Sequence, residues 1–240
     1  MLLKSLKLFE NPVMHDLIYP SRIRGMMNLE YEERQLEGPY IGDQLDETLK
    51  LWHPDRAVVI AAPTGTGKTT FTIEKIVKKA IKKGETVLIV TNRNPLNLGY
   101  KKDVARTTGL ADCYTIKGLQ KEKKFGSIYV VNYQALQGFL YSTNDIHFSY
   151  VIADECHYFL QDSTFSDCTY TVLNLIVNKF GDSIRLYISA TIDEVLPYIA
   201  RAEMDKNSIN HNLEKFKLGL QIFKEGAEYK LNIEMEEQYD

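Results

Sequence analysis

A Gly-rich loop that joins an apolar run to an amphipathic stretch constrains the fold of this chain more than any other segment. The apolar, β-branched residues 57–61 predict a buried strand, and residues 73–83 carry apolar side chains at helical spacing. Gly84 follows that stretch where a helix C-terminal cap is expected. The intervening residues 62–69 therefore turn a strand directly into the start of a helix.

The same alternation of strand and helix continues along the chain. Apolar runs predict further strands at residues 86–91, 128–131, 150–153 and 184–188. Helical patterns fill the gaps, notably residues 171–178 and 192–200, and a shorter one covers residues 43–52. Continuously apolar strands separated by helices are typical of a parallel sheet covered on both faces. We predict an α/β fold, a three-layer α/β/α sandwich with a mostly parallel sheet.

Composition excludes several other classes of protein. The chain of 240 residues is 44% apolar and 25% charged, as in ordinary globular proteins, and it has neither a membrane-length apolar run nor a signal peptide. Its three cysteines show no CxxC spacing, which argues against a disulfide framework or a zinc site and predicts a cytoplasmic protein. The net charge of −3 means that any binding of nucleic acid depends on local patches.

The loop itself has the chemistry of a triphosphate site. Its residues 62–69 read Ala-Pro-Thr-Gly-Thr-Gly-Lys-Thr, so that Gly65 and Gly67 let backbone N–H groups approach phosphate oxygens. Lys68 places a positive charge at the β- and γ-phosphates, and Thr69 offers a hydroxyl to Mg²⁺. The predicted ATP-binding set is Pro63, Thr64, Gly65, Thr66, Gly67, Lys68, Thr69 and Thr70. A chance Gly/Thr-rich turn is the alternative, and the order strand, loop, helix disfavours it.

Two further motifs lie at predicted strand ends. Asp154-Glu155-Cys156-His157 follows the strand at residues 150–153. Asp154 can hold Mg²⁺ and Glu155 can deprotonate an attacking water, although an acidic pair alone is more often a solvated loop. Ser189-Ala190-Thr191 follows the next strand, where small hydroxyl residues often do no more than end a strand. The ligand sites of parallel sheets lie at this edge, so the three motifs together predict one site.

These motifs in this order resemble the first RecA-like lobe of superfamily 2 helicases of the DExH-box kind. The resemblance covers residues 44–199, with the phosphate loop as motif I, residues 154–157 as motif II and residues 189–191 as motif III. It implies a P-loop NTPase that binds ATP and Mg²⁺. It also assigns catalytic roles to Lys68, Asp154, Glu155 and His157, and a coupling role to Ser189, Ala190 and Thr191.

Weaker matches concern nucleic acid and the adenine base. Residues 91–96 and 131–136 resemble segments that touch the nucleic-acid backbone in this superfamily, and residues 108–109 resemble another. Arg93 and Asn132 are the candidates there, with a solvated arginine as the alternative for Arg93. Tyr133 can stack on a base or belong to the core. Gln44 is a candidate reader of adenine, or an ordinary surface glutamine.

The resemblance also implies parts that these 240 residues do not contain. The motor has two lobes, and the second supplies arginines to the γ-phosphate. No Gly-Arg dipeptide of the usual arginine motif occurs here, and the residues after Thr191 are too few for a second lobe of about 150 residues. We predict a lead-in at 1–42, the ATP-binding domain at 43–210, and a tail at 211–240 that begins the connection to a second lobe.

The predicted function is the ATP-binding lobe of a helicase or translocase acting on single-stranded DNA or RNA through backbone contacts. A non-catalytic single lobe that binds nucleotide or a partner protein is the alternative from another class. An unrelated P-loop kinase is a third, and it would not need both motifs at successive strand ends. The lysines of residues 75–83 and 117–124 are either backbone-binding patches or solvated helix faces.

Overall fold

A ten-stranded sheet organises the chain. The computed structural model describes residues 2–7, 28–34, 40–46, 48–54, 57–143, 145–161, 168–192, 195–196, 198–200, 202–203, 218–224 and 227–233. The strands are β1 (Leu2–Lys7), β2 (Asn28–Arg34), β3 (Val58–Ala61), β4 (Val87–Thr91), β5 (Lys124–Phe125), β6 (Ile128–Asn132), β7 (Tyr150–Asp154), β8 (Ile184–Ser189), β9 (Leu218–Lys224) and β10 (Ala227–Ile233).

The helices in chain order are α1 (Ile41–Leu45), α2 (Lys68–Phe71), α3 (Lys78–Lys83), α4 (Asn94–Thr107), α5 (Ile116–Lys121), α6 (Tyr133–Ser142), α7 (Tyr158–Gln161) and α8 (Cys168–Lys179). A π-helical stretch, Thr72–Val77, joins α2 to α3, so that the helix after the Gly-rich loop runs on to Gly84. Gly84 adopts φ 69° as the predicted C-terminal cap. Short 3₁₀ turns occur at Thr48–Leu51 and Ala111–Cys113.

Six neighbouring strands of the sheet run parallel. The order is β1-β2-β10-β9-β3-β8-β7-β4-β6-β5, and every pairing from β9 to β6 is parallel. The strands β3, β7 and β4 are buried along their whole length, which explains why their sequences are continuously apolar. The predicted mostly parallel sheet is confirmed.

Two hydrophobic cores, one on each face of the sheet, complete the three layers. Val58 and Ile60 of β3 face the core that holds the helix of residues 68–83 together with α4 and α5. Val59 and Ala61 face the opposite core, which holds α6, α8 and the segment after β8. Successive side chains of β3 thus pack alternately into the two cores. The predicted α/β/α sandwich is confirmed.

The lead-in and the tail differ from the sequence interpretation. The mixed, weakly periodic sequence of residues 1–45 predicts an irregular or partly helical lead-in, but β1 and β2 are strands there. Residues 229–235 alternate as in a strand, which the structure has as β10, and the tail also contains β9, which pairs with β3 in parallel. These strands form because they pair with segments that are distant in the chain. A glutamate-rich sequence such as that of β2 does not predict such pairing. The domain boundaries remain predictions.

The helix predicted at residues 43–52 is broken in two. The first part is α1 and the second is the 3₁₀ turn Thr48–Leu51. Leu45, Leu49 and Trp52, which gave the helical spacing, are buried in the core beside the Gly-rich loop. Among the described residues, no helix is both long and apolar enough to cross a bilayer.

Candidate active site

The Gly-rich loop leaves β3 and opens α2 with backbone angles that favour glycine. Gly65 has φ 91° and Gly67 has φ 83°, both in the left-handed region. The Thr66 hydroxyl donates to the Pro63 carbonyl at 2.9 Å and closes the loop on itself. Because the first N–H groups of a helix lack acceptors within it, the loop and the start of α2 present donors to an anion.

Lys68 turns its ammonium group back over the loop. Its Nζ donates to the carbonyls of Ala62 and Pro63, each at 2.6 Å. The same charge reaches the acidic motif, since it is among the causes that lower the pKa of both Asp154 and Glu155. A bound phosphate would therefore find a cation that the loop already holds in place.

Asp154 is a buried carboxylate at the end of β7. Its side chain is 2% exposed; Oδ2 accepts from the Tyr100 hydroxyl at 2.7 Å and Oδ1 from the Glu155 N–H at 2.9 Å. Burial raises the pKa of this carboxyl to about 6, against the hydrogen bond from Tyr100, which lowers it. Both oxygens are held by neutral donors, so the charge of the carboxylate is available to a cation.

Tyr133 lies in the core, and the prediction that it stacks on a base is wrong. The side chain is fully buried, its ring stacks on that of Tyr158 at 4.7 Å between centroids, and its hydroxyl donates to the Asp154 carbonyl at 2.9 Å. The residue opens α6, and its ring belongs to the core on that face of the sheet. The alternative reading, a core aromatic, is what the structure has.

Glu155, His157 and Ser189 form a short polar chain. The His157 Nδ1 lies 3.1 Å from Glu155 Oε2 and 3.0 Å from Ser189 Oγ. The hydrogen bond from His157 lowers the pKa of Glu155, which keeps this carboxylate ionised. Glu155 itself has φ 53°, an unusual angle for a residue other than glycine. A strained backbone and a histidine together set the direction of this carboxylate.

Peptide hydrogen bonds tie the three strand ends together. The Ser189 carbonyl accepts from the Ala62 N–H at 3.2 Å, and the Ile188 carbonyl accepts from the Cys156 N–H at 3.0 Å. The Ser189 hydroxyl also accepts from the Thr191 N–H at 3.1 Å. The end of β8 thus contacts both the Gly-rich loop and the acidic motif, while Ala190 and Thr191 are exposed beside it.

Arg93 and Asn132 lie at the ends of β4 and β6, on the same edge of the sheet. Arg93 is exposed, and its charge is among the causes that lower the pKa of Glu155. The Asn132 amide donates to Asn94 Oδ1 at 2.7 Å, and its Oδ1 accepts from the Thr91 hydroxyl at 3.3 Å. These contacts leave the predicted roles of Arg93 and Asn132 open.

The remaining predicted residues lie in the Gly-rich loop, at the start of α2 and in α1. Pro63, Thr64 and Thr70 are exposed, and Thr69 is partly buried. Gln44 belongs to α1, as expected for a helix that leads into the first strand, but its side chain lies outside the described part of the chain. The helix α1 is anchored to the loop, because the Ile41 N–H donates to the Thr66 carbonyl at 3.2 Å.

Sequence reasoning missed Tyr100, whose hydroxyl binds Asp154. The residue lies in α4, outside every motif that the sequence predicts, and it is fully buried. Leu96, Tyr100 and Val104 follow one another at helical spacing, and this pattern predicts a buried face. It does not predict that the phenol end reaches a carboxylate on another strand.

The side chains at this edge suit a nucleotide that brings its own Mg²⁺. No cluster of three or more His, Cys, Asp or Glu side chains able to hold a metal occurs within the described ranges. The donors present are hard oxygens, the Thr69 hydroxyl and the Asp154 carboxylate, beside a loop built for anions. Mg²⁺ is usually held in this way, by one or two protein oxygens together with phosphate oxygens and water.

A Gly-rich loop between a strand and a helix, with a buried carboxylate at the end of the next parallel strand but one, defines the P-loop class of α/β proteins. Within that class, residues 32–194 match the family model described as "Type III restriction enzyme, res subunit". The match covers more than half of the chain, which therefore belongs to this family and is a first RecA-like lobe of the superfamily 2 helicase type.

Other comparisons add less. A solved structure of the SWI2/SNF2 ATPase core of Sulfolobus solfataricus, in complex with double-stranded DNA, is similar at 14% identity with a TM-score of 0.45. The similarity covers 72% of this chain and 38% of the length of that one. A comparison with curated proteins found none that matches.

Proposed function

We propose that the chain binds Mg-ATP at the Gly-rich loop and hydrolyses it, as the first lobe of a motor that acts on nucleic acid. The observation that carries this proposal is the meeting of Lys68, Asp154 and the Glu155–His157 pair at one edge of the sheet, where the end of β8 lies between those of β3 and β7. A simple nucleotide-binding loop would not need the second acid or its histidine. Membership of the restriction-subunit family supports the same reading.

Each residue has a separate task in the proposed reaction. The loop N–H groups and Lys68 hold the β- and γ-phosphates, while Thr69 and Asp154 would hold Mg²⁺, which supplies charge neutralisation when bound. Glu155 accepts a proton from the water that attacks the γ-phosphorus, and the bond to the β-phosphate oxygen breaks to leave ADP and phosphate. His157 orients Glu155 and connects it to Ser189.

Two variants separate binding from hydrolysis. Lys68→Ala should raise the Kd for ATP about tenfold or more, because a charge-assisted contact to phosphate is lost. Glu155→Gln should leave the Kd within about twofold and lower single-turnover hydrolysis about 100-fold or more, as expected for a general base. Calorimetry and product analysis measure the two effects.

The exposed residues Lys82 and Glu74, on the helix that follows the Gly-rich loop, provide matched controls. Lys82→Ala and Glu74→Gln should behave as the unchanged protein does. Equal turnover by Glu155→Gln and the unchanged chain would contradict the proposed base. Binding of ATP without any hydrolysis by the unchanged chain would favour the non-catalytic nucleotide-binding module.

We further propose that efficient turnover needs a second lobe. An arginine directed at the γ-phosphate is worth about 10³–10⁵ in rate, and the superfamily takes it from the other lobe. These 240 residues should therefore bind ATP and hydrolyse it slowly. Steady-state hydrolysis measured with and without DNA or RNA tests this, and strong stimulation by nucleic acid would contradict it.

The proposed nucleic-acid partner has a basic cleft available beside Asn132. The cleft holds about 630 Å³ and includes Lys101, Lys121 and Lys123 on its walls, with Asn94 at the start of α4 and Asn132 at the end of β6. Lys101 is 4% exposed and donates to the Gln120 carbonyl at 2.9 Å; burial lowers its pKa, and the charge of Lys123 lowers it further. Positive groups crowded in this way favour an anionic ligand such as phosphodiester backbone.

A further inference from the structure

Tyr100 joins two parts of the site that are distant in the chain. It lies in α4, and its hydroxyl donates to Asp154 Oδ2 at 2.7 Å with both groups buried. Burial raises the pKa of this phenol well above its usual range and the Asp154 charge adds to the rise, so the hydroxyl stays protonated and donates at any physiological pH. The Thr72 side chain and then that of Thr69 oppose the rise, which puts both near the phenol.

The two donors to Asp154 fix the rotation of its carboxylate. Oδ1 accepts from the Glu155 N–H and Oδ2 accepts from Tyr100, so each oxygen has one neutral donor. A carboxylate offers about four lone-pair sites, and two therefore remain for a cation or its water. Without the phenol, the group would be held at one oxygen only and could turn about its last bond.

Orientation matters because of the metal that the site is proposed to receive. Mg²⁺ demands near-ideal octahedral geometry, and groups that hold a metal ligand in place commonly change metal affinity by 10- to 100-fold. We infer that Tyr100 is a positioning residue that holds the Asp154 carboxylate, beside Thr69, in the orientation that Mg-nucleotide requires. This inference rests on the proposed function, since it needs the site to bind Mg-nucleotide.

Tyr133 provides a matched control within the same structure. Its hydroxyl is also buried and also donates to Asp154, but to the main-chain carbonyl. Removing either hydroxyl deletes one buried hydrogen bond to the same residue. Only the removal at Tyr100 frees the carboxylate, so a general structural effect appears in both variants and a positioning effect in one.

The experiment is a Mg²⁺ titration of fluorescent ATP-analogue binding to the whole chain, below the unfolding temperature of every variant. Tyr100→Phe should raise the Mg²⁺ concentration for half-maximal binding about tenfold, and Tyr133→Phe should change it less than twofold. Binding in EDTA should stay within about twofold of the unchanged chain for both.

The other outcomes each count against the inference. Equal shifts in the two variants, no shift in Tyr100→Phe, or loss of its binding in EDTA would mean that Tyr100 has only a structural role. An unchanged chain that binds no nucleotide with Mg²⁺ would instead refute the proposed function itself, and the inference with it.

Discussion

At the scale of single residues, Asp154 carries a buried charge whose two oxygens accept hydrogen bonds from neutral donors, the Tyr100 hydroxyl and the Glu155 N–H. Its pKa rises to about 6 from an ordinary value of 3.8. The ionised form is therefore less stable in the folded protein than in the unfolded chain. Stability and ligand binding are in conflict at this residue.

The sign of the pH dependence follows from that shift. Because the folded-state pKa is raised, the penalty is absent below pH 3.8, grows between pH 3.8 and about 6, and is complete above that. Asp154→Asn should therefore raise the unfolding midpoint in EDTA by several degrees at pH 7.5, and by clearly less at pH 5. The expected gain is on the order of 2–3 kcal/mol at the higher pH.

Thermal unfolding followed by circular dichroism measures this gain. The exposed Asp112 serves as the control, and Asp112→Asn should leave the midpoint almost unchanged at both pH values. A lower midpoint for Asp154→Asn at pH 7.5 would show that the buried carboxylate stabilises the fold.

At the scale of elements, β8 is joined to the helical segment after it by a buried ion pair. Arg185 donates to Glu203 through Nε at 2.8 Å and through Nη2 at 2.7 Å, and its Nη1 donates to the carbonyls of Phe180, Gly181 and Ser183. Glu203 also accepts from the Tyr187 hydroxyl at 2.7 Å. The pair thus closes the loop before β8 and docks the segment that follows residues 189–191.

Removal of one partner should be costly here. Glu203→Gln leaves the Arg185 charge buried and uncompensated, for which about 3–5 kcal/mol is expected. Urea unfolding should show this loss. The exposed pair of Lys75 and Asp46 is the control, and Asp46→Asn should leave stability nearly unchanged. A loss no larger for Glu203→Gln than for Asp46→Asn would contradict the structural role of the pair.

Sequence patterns predicted some elements and not others for definite physical reasons. The strands β3, β4, β6, β7 and β8 are buried on both faces, so each is a mainly apolar run that can be recognised without knowing its neighbours in the sheet. The Gly-rich loop could be predicted because its chemistry is local. The hydrogen bonds of Tyr100 and Tyr133 could not be predicted. Their hydroxyls contact Asp154, which is distant in the chain, and the helical spacing of the two residues indicates only that they are buried.

Arg185 illustrates the same limit in a strand. A charge inside an apolar run gives no sign of its partner, and Glu203 follows 18 residues later in another element. The strands β1 and β2 of the lead-in were not predicted for a related reason. Pairing with β10, and not the local sequence, determines β2, and β1 pairs with β2 in turn. Local patterns thus predicted the Gly-rich loop. The residues that hydrogen-bond to Asp154 could be recognised only in the folded chain.

At the scale of the whole molecule, the net charge of −3 makes any attraction to nucleic acid local. The basic cleft contributes Lys101, Lys121 and Lys123. If the exposed Lys121 and Lys123 each neutralise one phosphate of a single strand, the logarithm of the binding constant should fall with the logarithm of salt with a slope of about −1.4.

Fluorescence anisotropy with a labelled oligonucleotide, titrated at several salt concentrations, measures that slope. The variant Lys121→Ala/Lys123→Ala should reduce its magnitude by about one or more, and Lys79→Ala/Lys82→Ala in α3 should not. An unchanged slope in the first variant would place the nucleic acid elsewhere.

The end of β8 has a consequence for regulation. Its carbonyls accept N–H groups from the Gly-rich loop and from the acidic motif, and its Ser189 side chain lies against His157. Anything that displaces this strand end alters both halves of the nucleotide site at once. By thermodynamic reciprocity, a ligand that displaces it changes nucleotide affinity by the same factor by which nucleotide changes the affinity for that ligand.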